Sequence, residues 1–258
     1  LDSNRAPIPP ARKKARFLSL RSRKGASISG SMKFDGAKAL LMAITLLGAA
    51  TARADEIIYD NTTTYLGKYA SVGTEYGDEV VLGGTARTLS EFFFEYYGEF
   101  TSQGDELARV RIYANDGERI GPDYVVPGTV LWQSPLIPVQ QGFKTVGYTG
   151  LNVPLVDKDG NTVESITWTI QFFGLTMATT GQKDVAGLLY YDPPTVGSSF
   201  NDTWLKRADG SWVPTRTAGV TKNNFGARME AVPEPATIAL AALGCVALAA
   251  RGLARRKA

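Results

Sequence analysis

The chain has 258 residues, 28 of them basic and 25 acidic, and it contains no histidine. That absence excludes Ser-His-Asp and Cys-His catalysis, histidine-containing zinc sites and facial-triad iron. The one cysteine, Cys245, lies in an apolar stretch near the C-terminus, so the rest of the chain must build its core without a disulfide.

Residues 1–31 carry eight basic side chains against one acid, Asp2, and show no apolar periodicity. Taken alone, such a block suggests a nucleic-acid-binding arm. Here it reads as a disordered basic extension ahead of Met32, lying upstream of the true start or forming a long n-region. Met32-Lys33 opens a segment with the anatomy of a secretory signal. Lys33 and Lys38 are followed by the apolar run Ala39–Ala50, and Ala52 and Ala54 place small residues where a signal peptidase reads. The run is too short to span a bilayer comfortably. Residues 32–54 are therefore expected to form a signal helix, handled by the Sec machinery and cleaved after Ala54. The stretch 55–250 then holds 13 basic and 23 acidic residues, a balance of −10. Such a body repels nucleic acid and anionic lipid, whatever the whole-chain charge of +3 suggests.

From residue 55 onward the helical period is absent and the period of two recurs. Strands are expected at Glu56–Tyr59, Glu79–Leu82 and Thr88–Tyr97, the last with Phe92, Phe94 and Tyr96 on one face and Glu91, Phe93, Glu95 and Tyr97 on the other. Ala108–Ala114 points Val110 and Ile112 inward, and Asn115-Asp116-Gly117 turns the chain. Thr129–Gln133 is expected to bury Val130 and Trp132. Phe143–Tyr148 and Leu151–Val156 follow, then Ser165–Phe173 with Ile166, Trp168, Ile170 and Phe172 on one face. Val185–Tyr191 stops at Asp192-Pro193-Pro194. A hairpin pairs Thr203–Arg207 with Ser211–Val213 around Asp209-Gly210, and Phe225–Ala231 closes the body. Short strands at this spacing predict an all-β fold over 55–231, a single antiparallel β-sandwich of jelly-roll type.

Several clusters carry possible chemistry. Asp157 and Asp159 alternate before Gly160, like part of a calcium loop, but Glu164 comes too early to close it. A hairpin turn is the expected reading, with calcium as the alternative and no other cofactor. Asp78-Glu79, Glu91/Glu95 and Asp105-Glu106 are pairs of the kind a glycosidase uses, and equally of the kind that solvates a strand face. Trp204, Trp212, Tyr190 and Tyr191 stand beside loops, as a sugar-stacking platform or as packing beneath them.

The end of the chain is the most informative part. Val232-Pro233-Glu234-Pro235 precedes fifteen uncharged residues, Ala236–Ala250, and then Arg251, Arg255, Arg256 and Lys257. As a helix the uncharged run is about 22 Å long at ~1.5 Å per residue, short of a hydrocarbon core of ~30 Å. It is a weak transmembrane helix whose basic end stays in the cytoplasm. The combination over 232–258 resembles the PEP-CTERM sorting signal. That resemblance implies that Pro233, Glu234 and Pro235 are the recognition element for an exosortase, a membrane transpeptidase or protease of Gram-negative bacteria that accompanies exopolysaccharide and biofilm genes. The chain is then its substrate, not an enzyme. It is expected to pass through the inner membrane to the cell surface or extracellular matrix, with a structural or adhesive body and exopolysaccharide as a partner. A calcium-assisted carbohydrate-binding module is the alternative, and a secreted glycan-active enzyme the third reading.

Overall fold

The computed structural model describes residues 55–122, 124–175, 184–200, 202–215 and 224–233. The basic extension, the signal segment with Ala52 and Ala54, and everything from Glu234 onward, including Arg251, Arg255, Arg256 and Lys257, lie outside the described residues. Among the described residues there is no helix, and hence none long and apolar enough to cross a membrane.

The strands are β1 (Glu56–Asp60), β2 (Tyr65–Ala70), β3 (Tyr76–Val81), β4 (Thr88–Glu99), β5 (Leu107–Ala114), β6 (Arg119–Ile120), β7 (Tyr124–Val125), β8 (Val130–Gln133) and β9 (Ile137–Pro138). They continue with β10 (Gly142–Tyr148), β11 (Val153–Pro154), β12 (Ser165–Phe173), β13 (Val185–Tyr191), β14 (Ser198–Ser199), β15 (Thr203–Lys206), β16 (Trp212–Thr215) and β17 (Ala227–Val232). All recorded pairings are antiparallel. The first sheet runs β1-β17-β4-β13-β2, with β10 and β11 on the other edge of β4. The second runs β16-β15-β3-β12-β5-β8, with β14 on β3 and β9 on β5. A small β6-β7 ribbon stands apart.

Alternation along β4 and β12 builds the core. Phe92, Phe94 and Tyr96 point inward from the first sheet and meet Ile166, Trp168, Ile170 and Phe172 from the second. The Phe92 and Trp168 ring centroids lie 5.4 Å apart, and those of Tyr96 and Phe172 5.9 Å. Each such side chain contributes roughly 1.5–3 kcal/mol by leaving water. Asn61, fully buried where β1 leads toward β2, donates through Nδ2 to the carbonyls of Tyr191 and Phe225. It thereby ties the entrance of β17 to the end of β13.

Several expected strands appear at or near their predicted bounds, Ser165–Phe173 and Val185–Tyr191 among them. Others differ. The expected Glu79–Leu82 strand begins earlier, at Tyr76, because Tyr76, Asp78 and Val80 alternate inward across Gly77. Leu151–Val156 shrinks to Val153–Pro154, since the proline supplies no N–H to a ladder. Val130 is 49% exposed, contrary to its expected burial, and Trp132 is only half-buried, because β8 is an edge strand paired on one side by β5. The strand Tyr65–Ala70 was not expected at all. The hairpin of β15 and β16 turns at Gly210, whose φ of 85° suits glycine, and the Asp209 carboxylate accepts the Ser211 N–H and hydroxyl.

Candidate functional site

Two regions outside the core merit a functional reading: the outer face of the first sheet and the end of β17. On β4 the residues opposite the core set are Phe93, Glu95 and Tyr97. Phe143 on β10 stands opposite Tyr97, and Tyr65 and Tyr69 on β2 stand opposite Tyr191 and Leu189 on β13. Cross-strand partners share a face, so these rings form one aromatic layer. Tyr97 and Phe143 centroids are 4.9 Å apart, Tyr69 and Tyr97 5.4 Å, Tyr65 and Tyr191 5.5 Å, and Tyr65 and Phe143 5.8 Å.

Two glycines leave room for the rings. A Cβ at Gly147 would collide with the Phe93 ring, and one at Gly187 with Tyr69 and the backbone of Ala70. Beneath the rings, Glu95 accepts hydrogen bonds from the Tyr191 and Thr145 hydroxyls. Phe93, Tyr65, Tyr69, Tyr97 and Phe143 remain half-buried, each with part of its surface open to solvent. Burial, helped by neighbouring phenols, pushes Tyr65 up to about 12, and burial also raises Tyr69 and Tyr97. The phenols are thus neutral at any physiological pH, and the Glu99 carboxylate stands beside Tyr69 and Tyr97 at the edge of this hydroxyl-bearing aromatic platform. Such rings stack on the C–H faces of sugars or pack against other apolar surfaces.

The aromatic residues singled out in the sequence behave differently. Trp204 is fully buried and Trp212 nearly so, against Tyr113 and Tyr124 on the outer side of the second sheet. They pack beneath loops, and Tyr190 stacks on Phe225 at 5.1 Å. Tyr191 alone of the four reaches the aromatic layer, from below. Tyr65, Tyr69, Tyr97 and Phe143 were not recognised as a site. The only signal was the outward placement of Tyr97 on an aromatic strand.

The Asp78-Glu79 pair separates on folding. Asp78 turns toward the core side of β3, where Ser199 and the Phe225 N–H donate to it, while Glu79 faces outward and accepts from Trp204 Nε1 and Asn115 Nδ2. Burial holds the Asp78 carboxyl well above the usual range, its bonds to Phe225 and Ser199 opposing. Burial likewise pushes Glu79 up to about 7, against the Trp204 bond and with Asp202 adding to the rise. Both protons are held in the folded state and released in the unfolded one. The contribution of these two groups to stability is therefore fully present below the ordinary carboxylate values and is lost as pH rises, for Glu79 between 4.5 and about 7. Asp78→Asn keeps an acceptor for the Phe225 N–H and removes the ionisable group, and with it the cost of holding a proton at high pH. It is expected to raise the melting temperature by a few degrees at about pH 8 and to change it little at about pH 4. Thermal unfolding across that range checks this, and parallel wild-type and variant curves would count against it.

Asp157 and Asp159 occupy the expected turn. Asp157 Oδ1 accepts the Asp159 and Asn161 N–H groups and Oδ2 the Asn161 side chain, and these bonds hold its carboxyl below the usual range. The turn thus uses both oxygens of Asp157. Among the described residues, no group of three or more His, Cys, Asp or Glu side chains is arranged to hold a metal ion.

At the other region, β17 lies between β1 and β4 with Ala231 and Val232 buried and paired to Leu89 and Thr88. Pro233 follows at once, so the proline-glutamate-proline triplet begins where the sheet ends, with no spacer. Residues 231–257 match the PEP-CTERM protein-sorting motif. The chain carries that motif, the mark of a protein exported, processed at the membrane by an exosortase and placed at the surface. No curated protein and no solved structure matches the chain.

Proposed function

We propose that this is a non-enzymatic structural or adhesive protein of the extracellular matrix of a Gram-negative bacterium, whose β-sandwich body, jelly-roll-like in type, contacts exopolysaccharide through its aromatic outer face. The sorting motif carries the reading, since an exosortase substrate is delivered to the surface rather than retained. Two antiparallel sheets that share one core support the sandwich. A partly exposed layer of rings on the first sheet supports contact with sugars, because aromatic faces and phenol hydroxyls offer stacking area and hydrogen bonds. The signal segment 32–54, read by signal peptidase, and the helix 236–250 supply the route and a temporary hold.

A binding test uses host exopolysaccharide immobilised in the presence of a chelator. The wild-type protein is expected to be retained, and Tyr69→Ala with Tyr97→Ala is expected to lower retention about tenfold, as loss of two stacking rings implies. Retention that needs calcium would instead favour the calcium-assisted module. Undiminished retention of the double variant would remove the aromatic face from the reading.

A further inference from the structure

On the outer side of the second sheet, away from the aromatic layer, two cations converge on one buried acid. Glu75, 5% exposed, precedes β3. Its Oε1 accepts the Tyr113 hydroxyl and the Thr169 hydroxyl, each at 2.7 Å. Its Oε2 takes Arg111 Nη1 at 2.7 Å and faces Lys206 Nζ at 3.6 Å. Arg111 is further held by Nε donating to Gln133 at 2.7 Å. The Lys206 ammonium lies 5.0 Å from the Trp212 ring centroid and 5.7 Å from that of Tyr113. Both cations are thus fixed in place rather than swinging in solvent, which is the arrangement that costs least on binding.

These groups line a cavity of about 370 Å³ together with Thr74, Gln171 and Arg207. Glu75 spends both oxygens on its donors and holds Arg111 and Lys206 without neutralising the site. Arg111, Lys206 and Arg207, set against Glu75 and the Asp209 carboxylate that interacts with Arg207, leave an excess of one positive charge, on a body whose balance is −10. Arg111 Nη2 and the buried Thr74 hydroxyl have no hydrogen-bond partner among the described residues. The remaining Nη2 of Arg111, an ammonium and a guanidinium are complementary to a carboxylate. The Thr74 hydroxyl and Gln171 amide are complementary to sugar hydroxyls. The surrounding negative body disfavours densely charged polyanions and tolerates one charge per unit.

We propose that this pocket takes the carboxylate of a hexuronate unit in an acidic glycan. The choice of a glycan rests on the proposed matrix function, while the anion site stands on its own geometry.

The test titrates the exported protein with an oligohexuronate, with the neutral oligohexose of the same length, and with inorganic sulfate as competitor at matched ionic strength. Lys206→Met keeps the stem over Trp212 without the charge, and Arg207→Gln alters an exposed side chain. Neither removes the Arg111 partner of Glu75. The oligohexuronate is expected to bind, the neutral oligomer not to bind at this site, and sulfate to compete poorly. The double variant is expected to bind about tenfold more weakly with an unchanged melting curve. Equal binding of the neutral oligomer, sulfate competing as well as the uronate, or undiminished binding by the double variant would each overturn the proposal. Because the Tyr69 and Tyr97 rings remain intact in this variant, failure here leaves the aromatic-face reading to be judged by its own test.

Discussion

Glu234→Ala is expected to leave the protein unprocessed in the inner membrane. The triplet Pro233-Glu234-Pro235 begins immediately after the buried end of β17, and Glu234 is its only charged member. An exosortase therefore meets the carboxylate next to a folded sheet, flanked by two prolines that restrict the backbone. Loss of the carboxylate removes the feature that distinguishes this triplet from any other proline-rich junction. The unprocessed tail is expected to hold weakly. Its five strongly apolar residues, Ile238, Leu240, Leu243, Val246 and Leu248, supply an insertion bias of only about −2.5 kcal/mol at roughly −0.5 each. Arg251, Arg255, Arg256 and Lys257 are expected to keep its end cytoplasmic. Membrane fractionation with immunoblotting checks the result: the variant should run as the larger form in the inner-membrane fraction. A variant that reaches the surface at the wild-type size would overturn the role given to Glu234.

Trp168→Ala should have the largest effect on the body. Trp168 is fully buried between the sheets, with Phe92 at 5.4 Å, Phe94 at 6.1 Å and Phe225 at 6.3 Å. Deleting it opens a cavity bordered by both sheets, at a cost of roughly 3–5 kcal/mol. Domains of this size have only about 5–15 kcal/mol to lose, so the melting temperature should fall by roughly 10 °C or more. Trp132 provides the comparison, because it is half-buried on the edge strand and rests on Tyr148 at 4.8 Å. Trp132→Ala should cost much less. Thermal unfolding of both variants decides the matter, and a Trp168→Ala loss no greater than that of Trp132→Ala would mean that the inter-sheet core has been misplaced.

Much of the β organisation was legible because the period of two marks any strand with one dry face. Ser165–Phe173 shows it most clearly: Trp168, Ile170 and Phe172 are inward and buried. Tyr65–Ala70 escaped because its order is inverted. Its large apolar rings, Tyr65 and Tyr69, lie on the outer face, and the residues between them include Lys68, so alternation points the wrong way. Val130 misled for a related reason, since apolarity does not reveal that a strand is at a sheet edge.

The two surface sites were illegible for want of proximity. Arg111 and Thr169 lie 36 and 94 positions from Glu75, and nothing in the sequence pairs them. By itself the sequence determined the destination and the class of fold. A sorting signal is a linear tag read by another protein, and strand periodicity is a local consequence of the pleat. The tertiary structure decided which outward residues meet. Strand order in each sheet brought Tyr65, Tyr69, Tyr97 and Phe143 into one layer, and gathered Arg111 and Lys206 around a buried carboxylate in a cavity that Arg207 also lines.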